Sequence, residues 1–155
     1  MLSNITSKLL DIYNNVLDVQ IEEKEFLKAN LINNLNLDSL VSLQLISEIE
    51  RKFDVIIEED DIAILIIDSP HYFTDYYILN KVKAIYEKIL NKEIDTNQIT
   101  MGNLIRKFNI DNPNVMIIKK EIECKFEIEV NNMTKIENVI DHPFLYLKKY
   151  LLMKD

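Results

Sequence analysis

The chain has 155 residues, 48% hydrophobic and 28% charged, with one Gly, three Pro and one Cys. That apolar content suffices for a core and argues against wholesale disorder, while so little Gly and Pro points to helices joined by polar loops rather than to hairpins. The net charge of −8 disfavours nucleic acid, whose phosphates demand a basic surface, and disfavours an anionic membrane surface as well.

The first predicted element covers residues 5–17, where Ile5, Leu9, Ile12, Tyr13, Val16 and Leu17 form one stripe at the 3.6-residue period of an amphipathic helix. A polar loop is expected through Glu22 to Glu25. A second helix begins at Ser39, with Asp38 placing negative charge near its positive end, and runs to Phe53, burying Leu40, Leu43, Ile46, Ile49 and Phe53. Val55-Ile56-Ile57 reads as an apolar loop and Ile62 to Ile67 as a short helix. Ser69-Pro70 then reads as an N-cap with Pro in the first helical position, opening a final helix. Neither Gly nor a second Pro interrupts Pro70 through Leu90, and Phe73, Tyr76, Tyr77, Val82, Ile85, Tyr86, Ile89 and Leu90 keep helical spacing, so a helix running straight, or with a slight break, is expected there.

Residue 80 onward repeats what precedes it. A shift of 73 positions, without gaps, lays Ile12-Tyr13 on Ile85-Tyr86, Asn30-Leu31-Ile32 on Asn103-Leu104-Ile105 and Glu48-Ile49-Glu50 on Glu121-Ile122-Glu123. Lys52-Phe53 falls on Lys125-Phe126, and Ile67-Asp68 with Pro70 on Ile140-Asp141 with Pro143. The expected fold class is therefore all-α: two tandem small four-helix bundles, residues 1–79 and 80–155, each near the lower size limit for a self-sufficient core. Their charges differ. Residues 1–78 hold 5 Lys/Arg against 15 Asp/Glu, and the remaining 77 residues hold 13 against 11.

The informative stretch is Leu35-Asn36-Leu37-Asp38-Ser39-Leu40, continued by the apolar and acidic positions of the helix to Phe53 and by Val55 and Ile57. It resembles the attachment motif of acyl carrier and peptidyl carrier proteins, in which Asp-Ser-Leu opens the second helix of a four-helix bundle. The likeness covers residues 1–79 in helix layout and about residues 31–57 in motif detail. It implies a 4'-phosphopantetheine arm, taken from coenzyme A, on Ser39, with Asp38 supporting the attachment. A serine at a helix start presents its hydroxyl, and the unpaired N–H groups there tolerate a phosphodiester. The family usually has Gly three residues before the serine; Asn36 stands there instead, and Asn also tolerates left-handed backbone angles.

The resemblance further implies partners: a phosphopantetheinyl transferase, an acyl- or aminoacyl-loading ligase and downstream synthase enzymes. Leu40, Gln44, Glu48 and Asp54 are the docking residues it suggests, on an acidic face that Glu50 and Glu58 to Asp61 could extend. It implies an acyl or aminoacyl carrier, and the retention of a second copy without the serine favours specialised-metabolite assembly as the setting. The residues alone leave open an unmodified interaction module of the same fold, with Ser39 only a helix cap.

In the second copy Ser39 becomes Asn112, within Ile110-Asp111-Asn112-Pro113. Asn can cap and Pro113 suits a first helical position, so the fold should survive while the attachment chemistry should not. Lys119-Lys120 stands where the first copy has Ile46-Ser47.

No Ser-His-Asp grouping, Gly-rich phosphate loop or His/Cys metal set is visible, so no enzyme is expected. Cys124 alone forms no internal disulfide, and it aligns with Arg51 at a partly exposed helix position; His71 and His142 are expected on loop or helix surfaces. Phe73, Tyr76 and Tyr77 read as packing residues. With no signal-like start at Met1 to Ser7 and no run near the roughly 20 apolar residues that span a bilayer, the expected setting is cytoplasmic.

Overall fold

Every regular element in the computed structural model is helical among the residues it describes, 4–132 and 134–153. The outermost residues of the two expected domains, 1–3 and 154–155, lie outside that range. The chain divides into two compact units, Met1–Tyr77 and Ile78–Lys154. In chain order the helices are α1 (Asn4–Leu17), α2 (Glu23–Phe26), α3 (Leu31–Asn34), α4 (Ser39–Phe53), α5 (Asp60–Asp68) and α6 (Pro70–Leu90). There follow α7 (Thr96–Met101), α8 (Leu104–Lys107), α9 (Asn112–Phe126), a 3-10 turn at Val130–Asn132, α10 (Ile136–Asp141) and α11 (Pro143–Met153). The α6 helix is unbroken across the Tyr77–Ile78 division.

In the first unit α1 buries Ile5, Leu9, Leu10, Ile12 and Tyr13, leaving Val16 and Leu17 half-buried. The expected polar loop at Glu22 to Glu25 instead closes into the single turn α2. Phe26 is the cause: it is fully buried and meets the Tyr13 ring edge-on at 5.0 Å, and its amide donates to the Glu22 carbonyl at 3.0 Å. Burying one such ring is worth roughly 1.5–3 kcal/mol, enough to wind one turn of a polar segment. Phe53 and Phe73 make a second edge-on pair at 4.8 Å, joined by Tyr77, while the Tyr76 hydroxyl donates to the Ile56 carbonyl at 3.2 Å.

The buried stripe of α4 differs from the expected one. Leu45, Ile49 and Phe53 are buried and Ile46 is half-buried, but Leu40 and Leu43 are each 66% exposed. Nearly every position from 40 to 49 that could face inward is apolar, so periodicity fits two stripes. The choice falls on the one led by Leu45, since it points at α1 and α5, the helices α4 packs against.

Within the second unit, bonds of the first return 73 residues on. The Tyr13 hydroxyl donates to the Ile67 carbonyl at 2.5 Å and Tyr86 to Ile140 at 2.6 Å. Asp68 accepts from the Ile32 amide at 3.0 Å and Asp141 from Ile105 at 2.9 Å; Glu50 accepts from Ile57 at 2.8 Å and Glu123 from Val130 at 2.9 Å. Left-handed backbone recurs in register as well: Asp18 and Asn91, Ala29 and Gly102, Asn30 and Asn103, Asn36 and Asn109, Asp54 and Glu127. At position 14 the acceptor for the Ile21 amide is an Asn side chain, and at 87 it is the Glu87 carboxylate holding Ile94. That backbone donor draws Glu87 below the usual carboxylate range.

Candidate functional site

The turn into α4 is built by two short-range devices. Asn36 adopts φ +53°, a left-handed angle that asparagine tolerates better than most residues, and the Leu37 amide beyond it donates back to the Ile32 carbonyl at 2.9 Å. Leu37 is buried and anchors the turn. Asp38 is then the N-cap, extended in backbone, with its carboxylate accepting from the Val41 amide at 2.9 Å.

Ser39 is therefore the first residue inside the helix and not its cap. It is exposed, and among the described residues its hydroxyl makes no hydrogen bond. The first-turn amides of Ser39 and Leu40 have no acceptor within the helix, as at any helix start. A nucleophilic hydroxyl beside two unengaged N–H donors, at the positive end of a four-turn helix, suits a phosphodiester in both charge and hydrogen bonding.

The matching turn in the second unit repeats the frame without the nucleophile. Asn109 has φ +50°, and the Asp111 carboxylate caps α9 by accepting from Asn114 at 2.9 Å. Cap and helix start differ from those expected: Asp111 caps, Asn112 is the first helical residue and Pro113 the second. Proline removes one of the two first-turn donors that face this position in α4. The second unit thus lacks both the hydroxyl and a full anion cradle.

Of the residues expected to dock partners, Leu40, Gln44 and Glu48 share one face of α4 at spacings of four, with Leu40 and Gln44 exposed and Glu48 half-buried. Asp54 is exposed at the left-handed C-cap. Arg51 hydrogen-bonds Glu48 at 2.7 Å and adds its charge, holding that carboxyl below its usual range. Glu50 is half-buried, and one of its oxygens accepts from the Ile57 amide at 2.8 Å. On α9, Lys119 lies 3.7 Å from Glu123, and Lys120 is exposed.

The remaining candidates stand apart from this turn. Cys124 is exposed on α9 and His71 is exposed on α6. His142 is not simply a surface residue: its ring lies where a Cβ on Gly102 would sit, and its Nε2 is 3.3 Å from Asp141. The feature that the apolar spacing concealed is the exposure of Leu43. A signal for it lay in the repeat, since the second copy keeps Ile118, Ile122 and Phe126 at the buried positions but has Met116 and Pro113 at 43 and 40.

Comparison with known proteins bears on this turn, which lies within the residues that a family profile matches. A family profile described as a phosphopantetheine attachment site matches residues 7–64. The acyl carrier protein of Karelsulcia muelleri (strain GWSS) is 38% identical over 82 residues, which make up 52% of this chain and 96% of that protein. No solved structure matches the chain.

Proposed function

The chain belongs to the acyl carrier protein family, whose cofactor is a covalently attached 4'-phosphopantetheine, and on that premise we propose that Ser39 is the attachment residue of a carrier for acyl or aminoacyl groups held as thioesters. The observation that carries this reading is the division of labour between neighbours. Asp38 performs the capping, so the Ser39 hydroxyl stays unengaged and exposed. In the loading reaction the Ser39 Oγ–phosphorus bond forms and the pyrophosphate P–O bond of coenzyme A breaks. The hydroxyl proton is lost and adenosine bisphosphate leaves. Asp38, the cap immediately before Ser39, is the residue to support the transferase there.

Leu40, Gln44, Glu48 and Asp54 form the surface that the transferase, a loading ligase and synthase enzymes would meet. Chain residues 1–79 act as the carrier domain. Residues 80–155 are a carrier-like copy without an arm, kept for structure or for docking a particular enzyme; the repeated bonds and left-handed positions support that reading. Retention of such a silent copy favours a dedicated, specialised-metabolite assembly over a general one. No helix among the described residues is long and apolar enough to cross a membrane.

The test is intact-mass measurement after incubation with coenzyme A and a broad-specificity phosphopantetheinyl transferase. One added phosphopantetheine in the natural chain and none in Ser39→Ala is the expected result. No gain with several transferases supports instead an unmodified interaction module of the same fold. A gain that persists in Ser39→Ala moves the site elsewhere.

A further inference from the structure

The two units keep one fold at a shift of 73 residues, so a surface position that differs between them is not dictated by packing within a unit. Two surfaces differ in opposite senses. On α5 of the first unit, Asp60 and Asp61 lie one turn before Ile64 and Leu65 on a shared face. Ile64 is 54% exposed and Leu65 48%, and Ile56 in the preceding loop is 75% exposed. Glu58 and Glu59 are exposed as well, and none of these four acids has an ion-pair partner among the described residues. The second unit has Glu129, Glu137 and Asn138 in place of Ile56, Ile64 and Leu65, and Asn131, Asn132 and Thr134 in place of Glu58, Glu59 and Asp61. A face both apolar and acidic thus belongs to the first unit alone.

The second unit carries the reverse. Met116, Ile117 and Lys120 are exposed on one face of α9. Ile117 stands where the first unit has Gln44, and Lys120 where it has Ser47; on α6, Ala84 replaces Asp11 and Lys88 replaces Asn15. Those four first-unit positions line a single groove between α1 and α4. The buried bonds that recur in register carry that arrangement into the second unit, so Lys88, Ile117 and Lys120 share one surface. Lys88 and Lys120 are exposed and have no ion-pair partner among the described residues. Here the substitutions bring apolar and basic groups together.

We propose that the chain binds a second copy of itself head to tail, the α5 face of one copy's first unit docking on the α9 face of the other's second unit. Each face has an apolar centre, which marks an interaction site, and the flanking charges are of opposite sign, which sets partner and orientation. The complement that each face calls for is present in the same sequence, so any solution of the chain holds both in equal amount. Such a contact is heterologous and leaves a free face at either end, so further copies can add. Neither face includes Ser39, so the pairing stands or falls independently of loading.

Sedimentation velocity of the full chain over a concentration series tests this. The average mass should rise past that of two chains as concentration increases, and fall back on dilution or on addition of salt. Ile64→Lys and Ile117→Glu lie at exposed positions, and helical circular dichroism verifies that each variant folds. Each alone should sediment as a single chain at every concentration. An equimolar mixture of the two should associate again, because each variant retains one intact face. A natural chain that stays monomeric throughout would overturn the proposal, as would association indifferent to salt. So would a variant that associates like the natural chain, which points to a contact between like faces, or a mixture that fails to associate.

Discussion

The Asp38 carboxylate holds the Val41 amide at 2.9 Å, and this bond frees Ser39 from capping its own helix. Asp38→Ala should therefore destabilise the first unit by about 0.5–2 kcal/mol, the usual loss for an aspartate cap. Ser39→Ala, which removes no hydrogen bond, should leave stability almost unchanged while abolishing loading. Urea unfolding of both variants, alongside the mass assay, separates the two roles.

Tyr13 closes the C-terminal end of α5 by donating to Ile67, and Tyr86 does the same for α10 at Ile140. Phenylalanine at either position strands a buried carbonyl and should cost about 1–3 kcal/mol in that unit. Thermal unfolding followed by helical circular dichroism reads the loss.

Both hydroxyls are pushed well above the usual tyrosine range, first by burial and then by the nearby Asp68 or Asp141 carboxylate. The sign follows from linkage. Below pH 10 both folded and unfolded chains keep the tyrosine proton, and the contribution is fully present. Above the ordinary value of 10.0 the unfolded chain releases protons that the fold retains, so stability falls by about 1.4 kcal/mol per pH unit for each tyrosine. Alkaline unfolding curves of Tyr13→Phe and Tyr86→Phe should each be shallower than that of the natural chain.

Gly102 sits at φ +78° with the His142 ring over the place a Cβ would occupy. Gly102→Ala should cost about 1 kcal/mol or more, from the left-handed backbone and the collision together. His142→Ala removes the collision alone, so the double variant should recover part of the loss. In the first unit Ala29 adopts φ +63° at the matching position, and Ser69, which corresponds to His142, is the smaller residue there. A double-mutant cycle with no coupling between 102 and 142 would contradict the packing argument.

Glu50 and Glu48 lie on one helix with different duties. Glu50 holds the Ile57 amide of the loop before α5, and Glu50→Ala should destabilise by about 1 kcal/mol. Glu48 pairs with exposed Arg51, so Glu48→Ala should leave stability unchanged and act only on partner binding, measured by titration with the transferase.

Ser39 could be singled out from the linear chain because its signals are local: a tripeptide, a helix period and a repeat that replaces it by Asn112. The same is true of the left-handed turn at Asn36, which depends on one residue's own backbone preference. The exposure of Leu43 and the bond of Glu50 to the Ile57 amide are not legible there, for the opposite reason. An apolar run with two possible stripes does not say which neighbour the helix will face, and an acidic residue does not reveal that a loop seven positions away will bring an amide to it. Those assignments arise when α4 docks on α1 and α5 and selects Leu45, Ile49 and Phe53 for burial. That docking also leaves Leu43, Ser47 and Arg51 facing a groove beside α1. Local chemistry named the serine, because capping and helix period act within a few residues. Only packing of distant segments decided what lies beside it.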